Sequence, residues 1–319
     1  MYKIKKLSVI LLISIITCIV LGSCGIKNEE TYEEVYISDD KEYTEDNYVE
    51  KIHSTIDSIE DSKPQRDIVV CIDPGHYGGW NRISFNDGSS YSEGDITLQI
   101  ALELKRILAD EYGIECVMTR ETPDINIDGY VNDALDNGKI SLRGMKAEGC
   151  DFFISLHTNA NLNYANGYET LYQPVSLNRP IIILNKVAIN SEEAIRVANK
   201  VGTSITNALK KEKLTSVDIF KEIDESSMMT EWTDSLNDSL NTPGTLFYRQ
   251  SNSGDGQDYY GVLRGAANVG VPGIIVEHSF HTVLEVREAL LNGNLTKILA
   301  EADAKGIAEG FGVTKIMSE

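Results

Sequence analysis

The chain has 319 residues, with 29 Lys and Arg against 49 Asp and Glu, a net charge of −20 and 42% hydrophobic residues. That apolar fraction supports a buried core, and the length allows one large domain or two modest ones. The acidic balance argues against nucleic acid as a partner, because neutralising phosphates needs clustered Lys and Arg. A single long apolar stretch excludes a multi-span membrane protein, and five cysteines without a CxxC or regular framework argue against a disulfide scaffold.

Lys3, Lys5 and Lys6 precede an apolar run from Leu7 to about Leu21, too short for a comfortable transmembrane helix. The run ends in Leu21-Gly22-Ser23-Cys24, which resembles a bacterial lipobox. The resemblance implies that residues 1–23 are a lipoprotein signal peptide and that Cys24 becomes the lipid-modified first residue. An uncleaved signal anchor is the other reading, and both put the protein, exported and tethered, on the outer face of a membrane. From Gly25 to Lys63 thirteen acidic residues face four basic ones without apolar periodicity. Such a segment buries too little surface to offset its ordering entropy, so residues 24–66 read as a flexible, self-repelling spacer.

After Pro64 the texture changes. Asp67 to Ile72 reads as a strand buried on both faces, and Thr97 to Tyr112 as a helix with Ile100, Leu104, Ile107 and Leu108 on one side. Ser92 or Asp95 can cap its start and Gly113 its end. Ile114 to Thr119 is the next strand, Ser141 to Glu148 a short helix, and Phe152 to Leu156 another buried strand. A strand at Tyr168 to Tyr172 and a helix from Ser191 to Lys211 follow. Gly273 to Val276 is the last strand, and Leu284 to Gly310 supplies closing helices. Strands alternating with helices of this length predict an α/β domain over residues 67–316. Its mostly parallel, twisted sheet is covered by helices on both faces. Between Glu212 and Tyr260 the pattern is lost in Ser, Asp, Asn and Gly, which reads either as an insertion near the active site, a lid or protein-docking element, or as a plain surface loop.

Ligands in parallel α/β sheets bind beyond the carboxyl ends of the strands. The first strand runs into Asp73-Pro74-Gly75-His76, a central one into His157-Thr158-Asn159, and the last into Glu277-His278. Three of the five histidines occupy these ends. His76 and His157 are therefore candidate metal ligands and Glu277 a candidate general base. A catalytic zinc takes three protein ligands; Glu93, just before the first helix, is the candidate for the third. No GxGxxG, GxxxxGK[ST] or GxSxG element is present, so phosphate-loop and serine-hydrolase chemistry have no support.

The run Val69 to Gly79, containing Asp73-Pro74-Gly75-His76, resembles the opening motif of the zinc-dependent N-acetylmuramoyl-L-alanine amidases of the third amidase family. Glu93 with Thr97 to Lys105, Met118-Thr119-Arg120, Arg143 with Phe153 to Ala160, and Val271 to Glu277 are similar to that family's later motifs, in order. The resemblance implies a Zn²⁺ cofactor held by His76, Glu93 and His157, with Glu277 as catalytic acid/base. It implies cleavage of the amide between N-acetylmuramic acid and L-alanine, with peptidoglycan as the substrate partner. Asp73, Asn159 and His278 are candidates for supporting or substrate contacts; Asp73 or a backbone carbonyl can orient a ligating imidazole, and Asp73 also reads as a turn-forming residue before Pro74. His278 and His281 read as surplus ligands, substrate hydrogen-bonders or satisfied structural histidines. Two alternatives stay open: a zinc peptidase-like enzyme on a related sheet, and a wall-associated lipoprotein without turnover.

Overall fold

The computed structural model describes residues 67–80, 82–85, 88–161, 173–216, 229–231 and 246–316. The signal peptide, Cys24, the spacer and the strand expected at Tyr168 to Tyr172 lie outside them.

The apolar run after Asp67 forms β1 (Val69–Pro74), buried from Val70 onward. A two-stranded ribbon, β2 (Ile83–Ser84) with β3 (Ser90–Tyr91), leads into helix α1 (Glu93–Tyr112). Ser92 stands at its N-cap without a side-chain bond, and Gly113 closes it in the left-handed conformation. Strand β4 (Glu115–Met118) follows, then a hairpin of β5 (Asn126–Ile127) and β6 (Tyr130–Val131). A single π-helical turn, Ala134–Gly138, precedes α2 (Ser141–Met145). Strand β7 (Phe152–Asn159) continues three residues past the expected end.

Beyond it come β8 (Ile181–Leu184) and α3 (Glu192–Lys211), the latter capped by the Ser191 hydroxyl. Strands β9 (Met229–Glu231) and β10 (Leu246–Tyr248) follow. The chain closes with α4 (Gly261–Asn268), β11 (Gly273–Phe280), α5 (Leu284–Leu291) and α6 (Asn294–Phe311).

Seven strands make one sheet in the order β4-β1-β7-β11-β8-β10-β9. Five of its six pairings are parallel; β8 runs antiparallel to β11 and reverses the direction of the far edge. The segment read as a patternless insertion thus returns to the sheet twice, as β9 and β10. Three-residue strands are below the length at which alternation or an apolar run can be read. Helix α6 packs against α1 and α3, while α2 packs against α4, giving helical layers on the two faces. This is the α/β architecture expected. Nearly all side chains of β1, β7, β8 and β11 are buried, as strands covered on both sides must be. No described helix is long and apolar enough to cross a membrane.

Candidate metal centre

Register brings the strand-end residues together. β1 pairs with β7 through Pro74 and Leu156, and β7 pairs with β11 through His157 and Glu277. Directly paired residues on parallel strands project to the same face about 4.8 Å apart. His157 and Glu277 therefore emerge side by side at the carboxyl edge. His76 follows the end of β1 in a left-handed conformation, φ 58°. Such a backbone persists only where its surroundings fix it.

Glu93 reaches this edge from the first residue of α1. A Cβ on Gly94 would lie 1.9 Å from the Tyr77 carbonyl oxygen, so only glycine lets the first turn of α1 sit this close to the His76 loop. A Cβ on Gly75 would similarly meet the His157 ring at 2.4 Å. The loop glycines act through close approach; of Gly75, Gly78 and Gly79 only Gly79 has positive φ.

Nε2 of His76 is 3.5 Å from Glu93 Oε2, and Nδ1 of His157 is 3.0 Å from Glu93 Oε1. The three ligand atoms lie within 4.8 Å of one another, and the imidazoles stand perpendicular with centroids 4.9 Å apart. Burial alone would raise the Glu93 carboxyl, but His76 and His157 hold it well below the usual range. Burial would likewise depress His76, yet Glu93 and Asp136 push it up to about 10. Two imidazoles and one carboxylate thus converge and pair with one another. This nitrogen–oxygen donor set fits a borderline divalent metal ion.

Glu277 lies outside this mutual pairing. Its Oε2 is buried and has no hydrogen-bond partner among the described residues. Desolvation lifts its pKa to about 7, against the pull of His157. A carboxyl beside the donor set, half-ionised near neutrality, is placed to accept and return a proton.

The remaining sequence candidates are supports. Asp73, expected behind a ligating imidazole, does not touch one. Its Oδ1 accepts from Thr119 and twice from Arg143, and its Oδ2 accepts from Ser155. Burial opposes its ionisation, but Arg143 and these donors hold its pKa down. The carboxylate against His76 is Asp136, with Oδ2 3.1 Å from Nδ1. It lies on the π turn, 60 residues from His76, and no periodicity or motif in the sequence marks it.

His278 is fully buried. Its Nδ1 faces the His157 carbonyl at 2.9 Å and its Nε2 faces Asp303 at 2.7 Å. A carbonyl only accepts, so Nδ1 carries a proton and ties the ligand strand to α6. Asn159 turns its Oδ1 to the Ala160 amide. His281 stacks on Tyr91 and contacts Thr158, whose amide donates to Glu93; burial drops its pKa to about 4. Arg120 donates to the carbonyls of Pro74, Gly75 and Gly94, binding the β1 loop to the start of α1. The Trp80 ring stacks on His76 at 5.5 Å.

Residues 70–309 match the family model described as N-acetylmuramoyl-L-alanine amidase. Over 110 residues the chain is 33% identical to the sporulation-specific N-acetylmuramoyl-L-alanine amidase of Bacillus subtilis strain 168, covering 34% of this chain and 36% of that relative. Among solved structures it is similar to the N-acetylmuramoyl-L-alanine amidase AmiC2 of Nostoc punctiforme, at 20% identity and a TM-score of 0.46. That likeness covers 76% of this chain and 96% of the other. It is also similar to the CwlD amidase of Clostridioides difficile, solved in complex with the GerS lipoprotein. There the identity is 15% and the TM-score 0.48, over 77% of this chain and 99% of that one. With the family model spanning the whole sheet from β1 into α6, the chain belongs to the N-acetylmuramoyl-L-alanine amidase family.

Proposed function

We propose that the domain hydrolyses the amide between N-acetylmuramic acid and L-alanine in bacterial peptidoglycan, with zinc held by His76, Glu93 and His157. The observation that carries this reading is the convergence of those three ligand atoms within 4.8 Å, with Glu277 paired to His157 on the next strand. An amide is a poor electrophile with a poor leaving group. Bound zinc would supply a Lewis acid that polarises the carbonyl and brings the pKa of water toward about 7. Glu277 takes the proton of the attacking water on its carboxylate and later hands it to the departing L-alanine nitrogen. Its desolvated setting raises its pKa to about 7 in the metal-free chain, and a bound dication would draw that value down toward the ionised base the first half of the task needs.

The test is metal analysis of the purified domain beside a muropeptide digest read by mass. One zinc per chain is expected, with release of peptides bearing a free N-terminal L-alanine from an intact glycan. Activity should disappear with a chelator and return with Zn²⁺. Trimming of terminal residues instead would identify a peptidase, and bound metal without hydrolysis a non-catalytic wall protein.

The same proposal places the protein outside the cell, anchored through Cys24, with residues 24–66 as spacer and the 212–260 segment as a protein-docking or lid element. The motif Leu21-Gly22-Ser23-Cys24 supports the anchor. Metabolic labelling with a fatty-acid analogue should mark the wild-type chain and not Cys24→Ala; equal labelling of both would remove the anchor from this reading.

A further inference from the structure

We propose that Asp136, clamped by Arg143, is the positioning residue that fixes His76 as the Nδ1–H tautomer and so leaves the Nε2 lone pair for the metal. The inference rests on the metal-site reading above and concerns Asp136, which no sequence motif marks. Asp136 Oδ2 is 3.1 Å from His76 Nδ1, on the ring edge opposite the Nε2 that faces Glu93. An ionised carboxylate accepts and cannot donate, so the proton between them belongs to the imidazole. A ligating His whose far nitrogen donates to a carboxylate is fixed in both tautomer and orientation.

Arg143 makes this arrangement rigid. Its Nη1 donates to Asp136 Oδ1 at 2.5 Å and to the His76 carbonyl at 3.0 Å. One guanidinium nitrogen thereby grips both the residue that holds the ring and the backbone that carries it. The Arg143 and Asp136 side chains are 2% and 3% exposed. The clamp is needed because His76 sits at φ 58°, a conformation its own backbone does not favour. Asp136 itself stands on a π turn, a widened geometry frequent at functional sites.

The amide variant gives a specific reversal. In Asp136→Asn the carboxamide oxygen must face Arg143, which offers only donors, and the NH₂ must then face His76. Nδ1 becomes the acceptor, the ring proton moves to Nε2, and the atom facing Glu93 loses its lone pair. The experiment is zinc titration of the full chain against a chromophoric chelator, beside nitrogen NMR of ¹⁵N-histidine-labelled protein. Asp136→Asn should weaken zinc binding roughly 10- to 100-fold, the range for lost outer-sphere partners of metal ligands. Its His76 Nδ1 should appear deprotonated, whereas exposed Asp133→Asn changes neither readout. Zinc affinity within about twofold of wild type, or a protonated Nδ1 in the variant, would overturn the assignment. Should the variant fold poorly, the zinc-loaded wild-type chain decides alone: His76 bound to zinc through Nδ1, with its proton on Nε2, refutes the inference. Zinc bound through His76 Nε2 without any hydrolysis would leave this inference standing and defeat the amidase reading instead.

Discussion

Glu277→Gln is expected to keep zinc binding, lose hydrolysis, and make the metal-free protein more stable at alkaline pH. The catalytic loss should be roughly 10²- to 10⁴-fold in kcat with little change in KM, the range for a missing acid/base. The stability gain follows from the same burial that suits the residue for proton transfer. Its folded pKa is raised to about 7 from 4.5, so between those values the folded chain holds a proton that the unfolded chain has lost. The unfolded state then binds fewer protons, and stability falls as pH rises from about 4.5 to about 7. Glutamine cannot ionise and escapes this penalty, a relief of about 1–3 kcal/mol at pH 8 that vanishes near pH 4. Zinc loading should shrink the gain, because a dication nearby favours the ionised carboxylate. Melting temperatures of apo and zinc-loaded protein at pH 4.5 and 8, beside turnover, test all of this. Full-rate hydrolysis by the variant removes Glu277 from the chemistry. A variant no more stable than wild type at pH 8 removes the strained carboxylate.

Much of this site was legible because a parallel sheet converts sequence order into spatial order. Each apolar strand ends at the same edge, so His76, His157 and Glu277 could be gathered by looking one or two residues past a buried run. Helix α1 was equally plain, with an apolar face of helical period and Gly113 at its end. Other features left no such trace. Asp136 acts across 60 residues from a turn without periodicity, so nothing local distinguishes it from a solvated acid. Asp73 invited the role that Asp136 takes, because proximity in sequence suggested proximity to the ring. Its carboxylate is instead taken up by Thr119, Ser155 and Arg143. Ile181 to Leu184 is as apolar as any strand in the domain and bounded by Pro180 and Asn185, yet a four-residue run fits strand and buried helix alike. The direction of β8 is a long-range property that no run of four residues encodes.

Arg143→Met tests whether the buried charge network holds this site together. Arg143 donates to Asp73 twice, to Asp136 once, and to the carbonyls of Pro74 and His76, all at 2.5–3.0 Å. Methionine fills similar volume but leaves two buried carboxylates without their cation, a defect that costs about 3–5 kcal/mol. The cost should depend on pH with a definite sign. In the wild type Asp73 is held below its ordinary pKa, so its contribution is present above about pH 4 and fades as pH falls through the folded value. Without Arg143, burial becomes the ruling influence and drives Asp73 the other way. The variant then loses stability as pH rises above its unfolded pKa. The gap between wild type and variant must therefore widen from acid to neutral pH in urea melts at pH 4.5 and 8. Restoring neutrality with Asp73→Asn in the same chain should recover part of the loss at pH 8, since the uncompensated carboxylate, and not missing volume, is the fault. A pH-independent gap, or a cost below about 1 kcal/mol, would mean that the clamp is held by packing, with its charges incidental.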